Sequence, residues 1–193
     1  MRIAFAALSA SCMLFAPAIQ AEDISYNYFD AGYARVDIDD INEEADGFQL
    51  RGSFELTKNI FMFAGYTDLS ADFGGFDVDT SEFDLGIGYA VPVGAASSLY
   101  GKLSYVNAEA DVLGFSVDDD GYGLAAGVRT KASDNFELEG YVDYVDLNDL
   151  GDETSFGAAA RYFVAPQFAI GAEVVFSDDA TSYGLGVRWH WGN

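Results

Sequence analysis

A chain of 193 residues with 9 Lys and Arg against 32 Asp and Glu, a formal net charge of −23, has room for one domain and repels nucleic acid. Half of its residues are hydrophobic, yet mean hydropathy is only +0.08 and no run of about 18 apolar residues follows the N-terminal stretch, which excludes a transmembrane helix. The 21 Gly, 12 Tyr and 16 Phe against 3 Pro favour many short strands over helices, and the aromatic content argues against a disordered acidic chain.

Residues 1–21 read as an export signal. Arg2 supplies the charge, residues 3–15 the apolar run, and Ala16, Ala18 and Ala21 the small-residue zone. Cleavage is expected after Ala21, with Ala18 the alternative. Cys12, the one cysteine, lies inside this segment, so residues 22–193 need no disulfide. A lipid anchor at Cys12 is disfavoured by the lead-in at residues 9–11 and by the apolar run continuing past it.

Period-two alternation then predicts strands, in which alternate side chains share a face. The first, 24–37, puts Phe29, Ala31 and Tyr33 on the apolar face. The second, 47–57, sets Phe48, Leu50, Phe54 and Leu56 against Gln49, Arg51, Ser53 and Glu55. The third, 60–67, is apolar on both parities, so its facing stays open. In 80–91, Phe83, Leu85, Ile87, Tyr89 and Val91 oppose Glu82 and Asp84; in 99–109, Leu99, Leu103 and Tyr105 oppose Lys102. In 121–131, Tyr122, Leu124, Ala126 and Val128 oppose Arg129, and in the seventh strand Phe136, Leu138, Val142 and Tyr144 oppose Glu137, Glu139, Tyr141 and Asp143. The eighth, 154–164, pairs Phe156, Ala158, Ala160 and Tyr162 against Arg161; the ninth, 168–176, has Glu173 on its polar face. The tenth, 182–191, alternates Tyr183, Leu185, Val187, Trp189 and Trp191 with Gly184, Gly186, Arg188 and His190.

The links alternate in kind. Those at 58–59, 92–98, 131–135 and 165–167 are short and nearly free of acid, whereas 37–46, 68–79, 109–120, 146–153 and 177–179 are crowded with carboxylates. Every strand leaving an acidic link opens with an outward aromatic: Phe48, Phe83, Tyr122, Phe156 and Tyr183. Eight steps at about 3.3 Å each span roughly 26 Å, close to the apolar band of about 25 Å that a barrel presents to an outer membrane. With Trp189 and Trp191 at the far end, these rings form the expected lipid-facing girdles.

A C-terminal strand ending in an aromatic resembles the closing strand of bacterial outer-membrane β-barrels, although Gly192 and Asn193 follow where that family usually stops. Over residues 22–193 the chain resembles a small outer-membrane barrel of the OmpA/OmpX-like class. The expected fold is all-β: one closed antiparallel up-and-down transmembrane barrel of ten strands, with eight as the alternative. The resemblance implies a place in the outer membrane of a Gram-negative bacterium, with lipid, lipopolysaccharide and the barrel-assembly machinery as partners. A monomer is expected. The class contains adhesins, structural barrels and narrow pores, so it fixes location better than activity.

The inward parity gathers Arg51, Lys102, Arg129, Arg161 and Arg188 with Glu55, Glu82, Asp84, Glu137, Glu139, Asp143 and Glu173. Buried charges must be paired, so an ion-pair network plugging the lumen is expected, with inward glycines leaving room for guanidinium groups. The competing reading is a narrow conduction path lined by the same groups. Diffuse cation candidates are Asp37, Asp39, Asp40, Asp118, Asp119 and Asp120, but Ile41 stands where an EF-hand needs a ligand, so no metal site is defined. These acids read as a solvated surface, or as a rim where divalent cations bridge to lipopolysaccharide phosphates. The single histidine, His190, falls at the end away from the acidic links, and no Ser-His-Asp set can assemble at the outer rim. No cofactor and no enzymatic activity are expected. The function predicted is a surface barrel serving envelope integrity or contact with cations, lipopolysaccharide or host surfaces. A cation-preferring pore is the alternative, and the family likeness adds a signalling or adhesion role.

Overall fold

The computed structural model describes residues 24–38, 43–72, 77–112 and 115–191. Ten strands run in order: β1 Tyr28–Ile38, β2 Glu43–Glu55, β3 Ile60–Asp72, β4 Asp77–Val93, β5 Ser97–Val112, β6 Phe115–Ser133, β7 Phe136–Leu147, β8 Gly151–Ala165, β9 Phe168–Phe176 and β10 Ala180–His190. Each pairs antiparallel with its chain neighbours, and β1 pairs β10 from Tyr28↔His190 to Ile38↔Ala180, which closes the barrel. Closure leaves no strand edge unpaired, the condition for a sheet to sit in hydrocarbon.

The two parities separate by chemistry. Leu50, Ile87, Leu124, Leu185 and Val187 face outward and are exposed, Leu185 by 66%. Inside, the most deeply buried large side chains are Arg129, Phe61 and Glu137, each 1% exposed. A water-soluble protein would reverse this order. Covering even one such Leu or Ile is favoured by roughly 1.5–3 kcal/mol, so a wall of them belongs in lipid. The register also pairs the girdle: Phe48 faces Tyr33, Phe83 faces Tyr66, Tyr122 faces Tyr105, and Phe156 faces Phe176. At the other end Phe168 stacks on Trp189 at 6.5 Å, and Trp191, just past β10, packs on Trp189 at 5.6 Å.

Three expectations are corrected. The acidic links are largely strand: β3 runs to Asp72, β4 begins at Asp77, β5 runs to Val112 and β6 begins at Phe115. Beyond the girdle the parities exchange chemistry, with Asp68, Ser70, Asp79, Glu109, Asp118 and Asp120 on the outward parity and Leu69, Thr80, Ala110 and Val117 in one inward row. Outside the apolar band the outward face meets water, so acids take it. Secondly, β1 begins at Tyr28, and residues 24–27 leave the wall.

Thirdly, the inward glycines chiefly accommodate rings. Phe61 lies opposite Gly88, Phe63 opposite Gly86, Tyr100 opposite Gly127 and Tyr141 opposite Gly157, and a Cβ on any of these glycines would collide with the facing ring. Such a pair lets an aromatic lie flat across the neighbouring strand, filling the lumen without parting the wall. Gly171, beside the stem of Arg161, fits the guanidinium expectation better. At the turn between β4 and β5, Gly94 has φ of 68°, a conformation other residues rarely adopt.

Gly88→Val is expected to expel Phe61 and lower unfolding stability by about 1–3 kcal/mol, the usual cost of overpacking. Gly140→Val, at a position with open space around the added Cβ, is expected to cost less. Urea unfolding of both variants in lipid bilayers checks the difference.

Candidate functional site in the lumen

The lumen has three parts, two of them side by side towards the short links. The first is aromatic. Residues 24–27 turn into the barrel, where Tyr26 stacks on Phe61 at 4.4 Å and meets Tyr100 edge-on at 6.1 Å. The Tyr26 hydroxyl and Ser98 Oγ share a hydrogen bond of 3.1 Å, and the Tyr26 backbone N–H donates to Glu55 at 2.6 Å. Asn27 closes the same junction, its Nδ2 donating to Glu55 at 3.2 Å while its Oδ1 accepts from the Glu55 N–H at 2.8 Å. Glu55 therefore anchors the N-terminal segment and has no cation partner among the described residues, which corrects its place in the expected ion-pair network.

Against it, with Arg129 over the Tyr26 ring at 4.8 Å, lies the charged layer, centred on Glu137 of β7. Arg129 Nη2 donates to both Glu137 oxygens at 3.0 Å, and Arg161 Nη1 donates to Glu137 at 3.2 Å and to Glu139 at 2.7 Å. Arg188 holds Asp30 through two bonds of 2.6 Å, and its Nη1 stands 3.6 Å from Glu137. Tyr100 donates to Glu139 at 2.6 Å, and Arg129 donates to the Ser25 carbonyl at 3.1 Å. The Arg188 guanidinium also lies over the Tyr28 ring, 3.7 Å from its centre. Arg129, Arg161 and Arg188 are thus balanced by Asp30, Glu137 and Glu139. Higher up, Arg51 donates to Glu173 at 2.8 Å and to Gln49 at 2.9 Å, and Tyr141 donates to Glu173 at 2.8 Å.

The third part is a cavity of about 740 Å³ that runs from Arg188, Arg161 and Glu139 to the rim where the strands extend furthest. Glu82, Asp84, Asp143 and Lys102 line it. Among the described residues these four make no ion pair, so they too depart from the expected network. Lys102 instead lies over the rings of Phe63 and Tyr100, at 5.0 and 5.3 Å.

The acidic rim divides. Asp39 and Asp40 lie outside the described residues. Asp37 pairs with Arg35 at 3.3 Å, and Asp118 and Asp120 are exposed. Asp119 departs from a solvated surface: it points inward, is buried, and accepts from the N–H groups of Asp120, Asp149 and Leu150 at 2.8 to 2.9 Å. This clasp ties the β7–β8 turn to β6 beyond the apolar band. Burial alone would raise the Asp119 carboxyl, but the three backbone donors outweigh it and hold it below the usual carboxylate range. Among the described residues no group of three or more His, Cys, Asp or Glu side chains converges to hold a metal ion.

Sequence reasoning missed Asp30, Tyr26 and Phe61. Asp30 was legible, since it falls on the parity opposite Phe29 and Tyr33. Phe61 was not, because β3 is apolar on both faces. Tyr26 falls within the alternating stretch 24–37, which predicts strand. His190 lies inward near the short links, against Tyr28 and Phe163.

A family model described as the outer membrane protein beta-barrel domain matches residues 3–190. A search of curated proteins finds no match. An outer membrane channel from Pseudomonas putida F1 superposes with a TM-score of 0.52 at 9% identity, covering 91% of this chain and 99% of that one. The translocator domain of the autotransporter NalP from Neisseria meningitidis gives 0.50 at 10% identity, with 89% and 91% covered. Ail, the attachment invasion locus protein of Yersinia pestis, gives 0.44 at 17% identity, with 85% and 97% covered. At these identities the likeness extends to the fold alone.

Glu137→Gln is expected to cost about 3–5 kcal/mol of unfolding free energy, because it leaves buried guanidinium groups uncompensated. Glu82→Gln, which breaks no pair, is expected to stay within about 0.5 kcal/mol. Urea titrations in lipid bilayers measure both. Asp119→Ala is expected to speed proteolysis at residues 148–150 without changing unfolding of the barrel, as read by mass spectrometry of the fragments.

Proposed function

The chain belongs to the outer membrane protein beta-barrel domain family, and on that premise we propose that it is a non-enzymatic surface barrel whose lumen is closed to through-traffic. The protein lies in the outer membrane of a Gram-negative bacterium. The observation that carries the proposal is the layer around Glu137. Arg129, Glu137, Arg161 and Arg188 are nearly inaccessible to water, Asp30 and Glu139 complete their charge balance, and the Tyr26–Phe61–Tyr100 cluster packs beside them. A conducting path would have to break several charge-assisted hydrogen bonds at once.

What such a barrel offers the cell is its two exposed surfaces. The apolar wall engages lipid. The acidic outer rim is suited to divalent cations that link carboxylates to lipopolysaccharide phosphates, or to contact with a host surface. The C-terminal strand β10 is the segment for recognition by the assembly machinery, and a monomer suffices because closure leaves no edge to satisfy. Removal of residues 1–21 on export belongs to the same reading.

A narrow cation-preferring channel is the second reading, favoured by the acid-lined cavity that opens on the outer side. Single-channel recording in planar bilayers separates the two. No discrete conductance steps are expected from the folded protein. Reproducible, cation-selective steps would replace the surface barrel with the pore.

A further inference from the structure

The outer cavity has an unbalanced charge. On its floor and beneath it, every guanidinium has a carboxylate: Arg51 has Glu173, Arg129 has Glu137, Arg161 has Glu139 and Arg188 has Asp30. Within it, Glu82, Asp84 and Asp143 face a single ammonium, Lys102, and none of the four is ion-paired among the described residues. The tightly enclosed part of the lumen is therefore close to neutral, whereas these four groups carry an excess of two negative charges, to which Asp152, Glu153, Asp178 and Asp179 add nearer the rim. Charges held inside a low-dielectric wall lower their energy by finding a counter-charge.

The surroundings select the form of that counter-charge. The three carboxylates are carried by β4 and β7 and do not converge as ligands for one metal ion. A compact cation would satisfy one and leave the others. Towards the mouth apolar side chains form an interrupted collar. Val145 and Leu147 stand one and two inward positions beyond Asp143 on β7, and Leu69, Val36 and Val175 line the same space, with Glu153, Ser155 and Ser182 between them. The cavity thus presents acids at depth with an apolar collar above, in a volume of about 740 Å³, within the usual range of small-molecule sites of about 300–1,000 Å³. Calcium or magnesium would gain nothing from the collar, and an anion would be repelled by the acids.

We infer that this vestibule binds an extended organic dication, a diamine or short polyamine with an apolar spacer, entering from outside the cell. One ammonium reaches the Glu82, Asp84 and Asp143 layer, the methylene spacer lies against the collar, and the second ammonium meets the carboxylates of Asp178 and Asp179 at the mouth. The Asp178 and Asp179 pair also lines the cavity, which gives both ends of the ligand an acidic terminus. The inference rests on the closed-lumen reading, since it treats the cavity as a blind site and not as the entrance to a path.

Calorimetric titration of the folded barrel in non-ionic detergent with diaminooctane tests it. Saturable binding is expected, weakened at least roughly tenfold in Asp84→Asn/Asp143→Asn and little changed in Asp118→Asn/Asp120→Asn, which removes outward rim acids. Octanedioate, with the same spacer and reversed charge, is expected not to bind. Retained heat-modifiable gel mobility establishes that each variant is folded. The inference is overturned by no binding at millimolar diamine, by equal binding of octanedioate, or by equal losses in the two double variants, which would mean diffuse surface attraction. Calcium competing for the same two aspartates at equal concentration would also overturn it. Failure here leaves the bilayer recordings silent, whereas failure of the closed-lumen reading appears there as conductance.

Discussion

Glu137, buried in the lumen close to the short β6–β7 link, accepts from two arginines and stands near a third, and much of the interior is organised around that arrangement. Ion pairs removed from water seldom stabilise a fold relative to an apolar core, because desolvation offsets much of their attraction. Here they perform a different task. A strand has only two faces, and a one-residue slip in register would carry Arg129, Glu137 and Arg161 from lumen to lipid. A guanidinium moved to the lipid face costs up to about 2–4 kcal/mol at the bilayer midplane and less towards the interface, where Arg129, Arg161 and Arg188 stand. Each slip would also break their ion pairs, so the charged layer favours one register in the strands that contribute to it. The rings lying on glycines act in concert, since Phe61, Tyr100 and Tyr141 fit only where their glycine partners stand directly opposite.

The same layer divides the lumen into unlike halves. Towards the short links the interior is dense, with Tyr26 drawn in from outside the wall to complete the aromatic floor. Towards the long strands it is open, acidic and collared by aliphatic groups. Such a molecule is sealed as a wall and receptive as a surface. The clasp from Asp119 to the β7–β8 turn extends that receptive side beyond the membrane by ordering part of the rim.

Much of the fold was legible because lipid on one face and paired charge on the other enforce strict alternation. Phe48 to Leu56 and Tyr183 to Trp189 show it directly, and the aromatic openings of five strands betray a common depth. Asp30 was equally legible once the facing of β1 was chosen, yet its partner Arg188 lies 158 residues away and only closure brings them together. The strand extensions were obscured because acids that signal loops in a soluble protein here mark the outward face above the membrane. Ring-on-glycine packing was out of reach, since it depends on which residues stand opposite rather than which are adjacent in sequence. The separation of paired from unpaired charges inside the lumen was hidden for the same reason. Alternation places a side chain inside without fixing its height or its partner.

The inside-out distribution of apolar and charged groups is tested most directly by nitroxide accessibility along β10 in lipid vesicles, where single cysteines can be introduced without a competing thiol in residues 22–193. The account predicts that labels at Tyr183, Leu185 and Val187 collide with oxygen dissolved in the bilayer, while labels at Ser182 and Gly184 meet a water-soluble nickel complex instead. Labels at Leu185 and Val187 that are shielded from both, with Arg188 replaced by a label fully open to water, would describe a soluble sandwich and contradict it.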